Sequence, residues 1–219
     1  MKHTAYTLAL FCGVASLASA DTFYTPVSIT STNSVAYFAV ANLNQGPGVG
    51  YSASVPHDGA IPGALTWVTD APGGFPSDYL AVRPAPILVI DLGSDLFLTE
   101  ISTWGYTTGN SNGVSAFSLR FATSAEGPGL FGNSIPNQGG FTAAFSDITR
   151  DSHPLTPLTA RWVEFTATDN YYSNGGNGPP PGGDRVGLGE IAFEAIPEPS
   201  AALLSGGIAL LGLLRRRRA

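Results

Sequence analysis

One short segment of the sequence has the spacing of a catalytic motif. Gly109-Asn110-Ser111-Asn112-Gly113 matches the G-x-S-x-G pattern of a nucleophile elbow, whose serine attacks acyl carbon. That elbow needs a helix after the serine, whereas the alternating residues Val114 to Thr123 predict a strand. Zinc-protease, Walker and dinucleotide-binding motifs are absent from the sequence. We therefore expect a glycine and asparagine turn and no enzyme. A hydrolase is the most distant alternative, because sequence spacing does not reveal the paired carboxylates of a glycosidase.

Aromatic side chains in or beside predicted loops offer a different chemistry, the binding of sugars. A ring packs against the apolar face of a pyranose while a few fixed polar groups bond its hydroxyls. The candidate rings are Trp104, Tyr106, Tyr171 and Tyr172, and the candidate polar partners are Asn110, Asn112, Asn174 and Arg185. Trp104 ends a predicted strand, so the alternative for it is a place in the core. For the two adjacent tyrosines, a sugar contact and a purely structural role are both open.

The elements that position these residues are predicted to be strands. Val114 to Thr123 alternates apolar and polar side chains, as does Arg161 to Ala167 less clearly, and Ile87 to Leu92 is an apolar run ended by Gly93. Further candidate strands are Val35 to Val40, Leu98 to Tyr106, Phe141 to Ile148 and Leu188 to Ile196. The predicted loops are Asn44 to Gly50, Asp70 to Ser77, Gly127 to Gly140 and Ser173 to Gly183. This pattern predicts an all-β fold, an antiparallel β-sandwich or jelly roll over residues 21–196.

The composition supports this fold class and excludes several functions. The 219 residues include 27 Gly and 17 Pro, which break helices, while 43% are hydrophobic, too many for a disordered chain. A net charge of -6 without a basic patch outside the last residues argues against a nucleic-acid partner. A single cysteine, Cys12, excludes an internal disulfide framework and cysteine-rich metal sites. His57 and His153 lie in proline-containing segments, and we expect them in turns or at the surface.

The first twenty residues have the organisation of a secretory signal peptide. Lys2 gives a positive head, Leu8 to Leu17 is apolar, and the small residues Ala18 and Ala20 stand at the -3 and -1 positions of a cleavage site. The alternative is an N-terminal anchor that is never cleaved. Cleavage after Ala20 by signal peptidase would also remove Cys12.

The C-terminal segment, residues 197–219, has three consecutive parts. Pro197-Glu198-Pro199 is followed by an apolar stretch from Ala201 to Leu214 and then by Arg215, Arg216, Arg217 and Arg218. The stretch would measure about 21 Å as a helix against a hydrocarbon core of about 30 Å, so it is short for a permanent anchor. The alternative is nevertheless a small single-span anchor, with the arginines on the cytoplasmic side.

In the order of its parts, this segment closely resembles the PEP-CTERM sorting signal. The resemblance implies an exported bacterial protein that inserts transiently in the inner membrane through the C-terminal helix. An exosortase would cleave it near Pro197-Glu198-Pro199, leaving it on the envelope surface or in an exopolysaccharide matrix.

The middle of the chain resembles another family, the discoidin or coagulation-factor type C domains, which are galactose-binding-like jelly rolls related to many carbohydrate-binding modules. The matching pieces, in order, are His57-Asp58-Gly59, Thr66-Trp67, Ile90-Asp91-Leu92-Gly93, Ile101 to Tyr106, Val114 to Thr123, Arg161 to Phe165 and Val186 to Phe193. Ala60 to Leu65 lengthen the gap after Gly59, and the terminal cysteine pair of some relatives is missing. The resemblance thus covers most of residues 55–193.

This second resemblance implies a structural calcium ion. In that family a calcium often joins the N-terminal loop to the last strand, and the matching residues here are Asp58, Thr66 and Glu190. Calcium takes six to eight oxygen ligands, and carboxylates that meet without a cation repel each other. The alternative is that Asp58 caps a turn beside Gly59 and that Glu190 points into solvent.

We therefore expect a secreted, non-enzymatic module that binds extracellular polysaccharide or a surface glycan. A structural matrix protein that contacts only other proteins is the alternative. Without its two end segments, the chain keeps 5 arginines, no lysine and 15 acidic residues, a formal charge of -10. Such a surface repels anionic polymers, so neutral glycans or a calcium-dependent contact are favoured.

Overall fold

The computed structural model describes residues 22–24, 26–44, 66–146 and 149–196. Across these ranges the chain forms nine strands, one short helix and two 3-10 turns. The strands are β1 (Thr22–Tyr24), β2 (Ser28–Ser31), β3 (Trp67–Val68), β4 (Ile87–Trp104), β5 (Val114–Ala122), β6 (Gln138–Thr142), β7 (Asp151–Asn170), β8 (Gly187–Leu188) and β9 (Glu190–Ile196). The helix α1 is Tyr79–Val82, and the 3-10 turns are Val40–Asn44 and Asn174–Gly176. The predicted all-β fold is confirmed.

Seven of these strands form one antiparallel sheet around two long strands. Its order is β1-β9-β4-β7-β5-β6, and β2 pairs with β4 beside this path. Strands β4 and β7 pair from Ile87 opposite Thr166 to Thr103 opposite Asp151. The first part of β4 lies between β2 and β7, and its second part lies between β9 and β7. Strands β3 and β8 form a separate two-stranded sheet.

The large sheet folds over on itself at the middle of β4 and β7. The pairing slips between Asp91 and Leu96, where Gly93 has a φ of 86°, a left-handed conformation that suits glycine. Both carboxylate oxygens of Asp91 accept hydrogen bonds from Arg161 of β7, at 2.8 and 3.0 Å, and Oδ1 also accepts the Gly93 N–H at 2.7 Å. The hydrogen bonds from Arg161 hold the pKa of Asp91 below its usual value. The ion pair thus joins the two bent strands.

The two halves of the sheet enclose an aromatic core. The ring of Phe117 on β5 stacks on those of Phe165, at 4.6 Å between centroids, and Phe141, at 5.0 Å. The same ring meets the edge of the His153 ring at 4.9 Å, although His153 lies on the first part of β7, which does not pair with β5. Contacts across the layers therefore make the sheet a sandwich. Phe117 and its neighbours on one face of β5 are buried while Arg120 is exposed, as the alternation predicts.

Three predicted elements differ from the structure. Ile87 to Leu92 and Leu98 to Tyr106 fall in the single strand β4, apart from Gly105 and Tyr106, which follow its end at Trp104. The chain passes Gly93 without leaving the sheet. The strand predicted from Phe141 to Ile148 is instead β6, which begins at Gln138 and ends at Thr142.

The strand predicted from Val35 to Val40 is wrong. Val35 and Phe38 form an isolated bridge that closes a turn, and the 3-10 turn Val40–Asn44 follows. The Ser34 hydroxyl accepts the Val40 N–H at 3.2 Å, and this local side-chain bond competes with sheet pairing. The short helix α1 was not predicted; the Asp78 carboxylate caps it by accepting the Leu80 N–H at 3.0 Å.

Several predicted features lie outside the described residues. They are the signal peptide with Ala18 and Ala20, the loop residues His57 and Asp58, and the sorting segment with Pro197, Glu198, Pro199 and its arginines. Among the described residues, the helices are too short or too polar to cross a membrane.

Candidate functional site

An open cleft lies at the end of the sandwich where β7 ends and β5 begins. Its volume is about 430 Å³. Residues from three separate segments line it: Ser111 and Ser115, Phe145, and the end of β7 with the loop after it, namely Asp169, Asn170, Tyr171, Tyr172, Ser173, Pro179 and Pro180. We call it the tyrosine cleft. The structure thus brings Tyr171 and Tyr172, predicted as sugar-binding residues, into one concave site.

A buried asparagine anchors the loop that forms most of the tyrosine cleft. The side-chain amide of Asn170, 4% exposed, donates to the carbonyls of Gly183 and Arg185 at 2.9 and 3.0 Å. Its carbonyl oxygen accepts the Tyr172 N–H at 3.0 Å. Both ends of the long loop are therefore tied to the last residue of β7, which limits the loop's freedom.

Tyr171 forms one wall of the cleft and is fixed at both its ring and its hydroxyl. The hydroxyl donates to the Ala143 carbonyl, and the ring lies edge-on to Phe145, with 4.8 Å between centroids. Partial burial, with a smaller effect from Asp151, raises the pKa of Tyr171. The phenol therefore stays neutral at ordinary pH and keeps its donor proton.

Tyr172 lies on the other side of the loop, against Gly183. A Cβ at Gly183 would come within 2.5 Å of the Tyr172 Cβ, so only glycine allows this approach. Gly176 and Pro76 also pack around this tyrosine, since a Cβ at Gly176 would lie 3.3 Å from Tyr172 Cε2 and 2.9 Å from the Pro76 Cβ. Tyr172 remains half-buried, with part of its ring facing the cleft.

The cleft combines apolar rings with polar groups. Phe145, with 40% of its surface exposed, and the two tyrosines supply the rings, while Asp169, Ser115 and Ser173 supply a carboxylate and two hydroxyls. Sugars need this combination, because their C–H faces are apolar and their edges carry hydroxyls. Phe145 was missed because the sequence placed it within a predicted strand, and Asp169 and Ser115 carry no motif.

The G-x-S-x-G segment is a turn, as predicted. Strand β5, not a helix, follows it. The Ser111 side chain is buried, and its hydroxyl donates to the Pro180 carbonyl, while its N–H bonds the Pro181 carbonyl at 3.1 Å. Ser111 therefore joins two loops and lacks the surroundings of a nucleophile.

Six residues predicted to bind sugar do not line the cleft. Two of them, Asn110 and Asn112, accept backbone N–H groups through their side-chain oxygens, from Asn112 at 3.0 Å and from Gly183 at 2.6 Å. Trp104 is fully buried with Ala192 and Phe23 around it, so the core alternative is correct and its ring cannot stack on a ligand. Tyr106 is half-buried under Gly187 and 6.3 Å from the Phe38 ring, outside the cleft.

Arg185 and Asn174 also differ from the expectation. The Arg185 guanidinium donates to the Thr69 carbonyl at 3.0 Å and so joins the segments around β3 and β8. Asn174 is exposed on the 3-10 turn with a φ of 48°, and it does not line the cleft. Of the predicted ligand set, the cleft contains Tyr171 and Tyr172.

Of the three residues predicted to bind calcium, Thr66 and Glu190 are among the described residues and Asp58 is not. Trp67 pairs with Leu188, so Thr66, one residue earlier, and Glu190, two residues later, lie at the same end of the small sheet. Both are buried, at 7% and 1% exposure, so the alternative in which Glu190 points into solvent is wrong. Carboxylate and hydroxyl oxygens are ligands of a hard cation, although the described residues contain no cluster of three potential His, Cys, Asp or Glu ligands.

His153 is buried, contrary to the expectation of a surface or turn residue. Its Nε2 lies 3.1 Å from the Thr103 hydroxyl and 3.4 Å from Asp151 Oδ2. Burial lowers the pKa of His153, while Asp151 and Glu100 oppose this effect. The proline beside it, Pro154, lies within β7 and not in a turn.

Comparisons with known proteins were made at the level of sequence and of structure. Neither a protein-family model nor a curated protein matches the chain. Among similar solved structures is the family 32 carbohydrate-binding module of C. perfringens NanJ in complex with galactose. It has 12% identity and a TM-score of 0.48 over 76% of this chain and 92% of that one.

Two further solved structures are similar to a comparable degree. The family 32 module of AlyQ in complex with 4,5-unsaturated mannuronic acid has 15% identity and a TM-score of 0.47, over 78% of this chain and 97% of that one. A pectin-binding carbohydrate-binding module has 12% identity and a TM-score of 0.47, over 78% and 91%. These likenesses are weak, and the all-β architecture rests on the strand pairing of the chain itself.

Proposed function

We propose that this protein is a non-enzymatic glycan-binding module whose ligand occupies the tyrosine cleft. The observation that carries the proposal is the meeting of Tyr171, Tyr172 and Phe145 around an open cleft with hydroxyl and carboxylate groups. Ser111, the single residue with the spacing of a nucleophile, is used in a loop contact. Binding is therefore the chemistry that this site supports.

The cleft is organised before a ligand arrives. Asn170 fixes the loop from within, and Tyr171 is bonded to Ala143 on a neighbouring segment. A site that is already ordered loses less conformational entropy on binding, so a few contacts to a sugar unit give measurable affinity. The aromatic surface would contact the apolar face of the sugar, and Asp169 with Ser115 would accept bonds from its hydroxyls.

A glycan array followed by titration of the retained glycans tests this proposal. We expect Tyr172→Ala and Phe145→Ala to lower affinity by about tenfold or more, which corresponds to about 1.4 kcal/mol of binding free energy. Tyr37→Ala is the matched control, because Tyr37 is 66% exposed and lies outside the cleft. Unchanged retention by both cleft variants would contradict the site.

The second candidate function is a structural matrix protein that contacts other proteins without a glycan site. Large apolar side chains on the surface favour it, among them Tyr37, Phe75 and Leu130, which are 66%, 59% and 53% exposed. The same array separates the two functions. If no glycan is retained by the wild-type protein, the structural role is favoured.

We also propose that the protein is exported and sorted by an exosortase to the envelope surface or an extracellular matrix. Support comes from the sequence, in the signal peptide ending at Ala20 and in the Pro197-Glu198-Pro199 segment with its apolar stretch and arginines. Recovery of external protein with an intact arginine tail would contradict the processing step.

A further inference from the structure

Four of the five arginines among the described residues form side-chain ion pairs or hydrogen bonds within the protein. Arg120 pairs with Glu164 at 2.9 Å, Arg150 with Glu100 at 2.5 Å, and Arg161 with Asp91 at 2.8 Å. Arg185 donates to a backbone carbonyl. Arg83 is the fifth arginine, and its exposed guanidinium bonds no other described residue. An exposed arginine without an ion-pair partner among the described residues can hold an anion.

Arg83 lines a second cleft, of about 370 Å³, which we call the arginine cleft. Its apolar surface is formed by Pro84, Ala85 and Ile87. Its polar surface is formed by Thr32, Asn33 and Tyr79, which lie beside the end of β2 and on α1. The cleft thus combines an apolar surface, hydroxyl and amide groups, and one cation.

The walls of the arginine cleft are fixed by hydrogen bonds. The Asn33 side chain donates to Asp70 at 2.7 Å and to the Tyr79 hydroxyl at 3.2 Å, and it accepts the Asp70 N–H at 3.0 Å. The Thr32 hydroxyl accepts the Ile87 N–H at 3.0 Å. The Arg83 N–H closes α1 on the Tyr79 carbonyl at 2.9 Å. The guanidinium therefore extends from a backbone that is held in place.

The two clefts are connected through Gly183, which bonds one lining residue of each. The Gly183 carbonyl accepts the N–H of Tyr79, which lines the arginine cleft, at 2.9 Å. It also accepts the side-chain amide of Asn170, which lines the tyrosine cleft, at 2.9 Å. Gly183 itself packs against Tyr172. A ligand with several linked units is therefore better placed than a single sugar to reach both clefts.

We propose that the arginine cleft is a second carbohydrate subsite, which binds an acidic sugar unit through a bond between its carboxylate and Arg83. The planar guanidinium matches a carboxylate with two parallel hydrogen bonds. Asp70, bonded to Asn33 at the cleft, disfavours a dianion such as phosphate more than a single carboxylate. That the ligand is a carbohydrate depends on the proposed glycan-binding function. That the ligand is negatively charged is inferred from Arg83.

The test compares an acidic sugar chain with its neutral ester. The full chain is titrated calorimetrically with oligogalacturonate and with a fully methyl-esterified oligogalacturonate of the same length. The buffer contains about 0.15 M salt, which screens the repulsion between the acidic surface and the distant charges of the ligand, and no added calcium. We expect the wild type to bind the acid about fivefold more tightly than the ester, the effect of one exposed charge pair. Arg83→Gln should abolish this preference, so that the acid and the ester bind with equal affinity.

The controls separate this proposal from the proposed function. Arg120→Gln, which removes another exposed arginine, should keep the preference. If Tyr172→Ala leaves both ligands bound while Arg83→Gln removes the preference, the tyrosine cleft fails and the arginine cleft stands. A preference that survives Arg83→Gln, absent binding of oligogalacturonate, or displacement of it by equimolar inorganic phosphate would overturn the arginine cleft.

Discussion

His153 is a basic side chain held inside an aromatic cluster. Its ring meets the edges of Phe117 and Phe141, at 4.9 and 6.0 Å between centroids. The charged groups that face it are Asp151 on its own strand and Glu100 on β4. Because burial dominates and lowers the pKa of His153, the folded protein favours the neutral imidazole.

This burial predicts a loss of stability in mild acid. The unfolded chain takes up a proton near the usual pKa of 6.5, while the folded chain resists it. The contribution of His153 to stability is therefore complete above pH 6.5 and declines as the pH falls toward the lowered folded pKa. We expect the melting temperature of the wild type to fall more steeply between pH 7 and 5 than that of His153→Gln. Parallel profiles, measured by circular dichroism, would contradict this assignment.

Residue type alone does not distinguish Trp104 from Tyr172. Both are aromatic residues at a strand end, yet Trp104 is fully buried and Tyr172 faces a cleft. The difference comes from segments distant in sequence, namely the Phe23 ring over Trp104 and the Gly183 backbone beside Tyr172. The adjacency of Tyr171 and Tyr172 in a long polar loop was a usable signal. No sequence pattern marked Phe145 or Arg83 as a cleft residue.

At the scale of elements, β4 and β7 each contribute to both layers of the sandwich. Their pairing is irregular between Asp91 and Leu96 and again between Leu98 and Glu100, and the ion pair between Asp91 and Arg161 lies at the first irregularity. The Arg161 guanidinium also lies 4.8 Å from the centroid of the Trp162 ring. Sequence periodicity predicted the apolar runs on either side of Gly93. Because glycine is common in turns, however, Gly93 was predicted to end a strand. Long-range pairing with β7 carries the strand through the bend.

The bend predicts unequal effects for two acidic substitutions. Asp91→Asn should lower the urea midpoint of unfolding, because it removes a carboxylate that receives three hydrogen bonds at a partly buried position. Glu164→Gln is the matched control, since its partner Arg120 is 45% exposed and such surface pairs contribute at most about 1 kcal/mol. Equal urea midpoints for Asp91→Asn and Glu164→Gln would contradict a special stabilising role for the ion pair between Asp91 and Arg161.

At the scale of the whole molecule, distant parts of the chain meet at one end of the sandwich. The tyrosine cleft combines residues from the start of β5, from the segment after β6, and from the end of β7 with the loop after it. Glu190 of the last strand and Thr66 lie at the same end of the small sheet. We propose that calcium joins Thr66, Glu190 and Asp58, the last of which lies outside the described residues. Calcium bound there would offset the cost of burying the Glu190 carboxylate.

Calcium is therefore expected to raise the melting temperature of the intact protein. At a hundred times its Kd the ion adds about 2.7 kcal/mol, which corresponds to about 5–10 °C for a protein of this size. EDTA should reverse the gain, magnesium should not reproduce it, and Glu190→Gln should abolish it. Identical melting curves with EDTA and with calcium would contradict the site.

The sequence by itself determined the all-β class, the inward face of β5, the turn at Gly109 to Gly113 and the candidate tyrosines. These depend on alternation and turn chemistry, which act between neighbouring residues. The tertiary structure decided which aromatic rings are exposed, where the pairing of two long strands becomes irregular, and that Arg83 lines a second cleft. Burial and ion pairing are sums over segments far apart in the chain, so local patterns do not contain them.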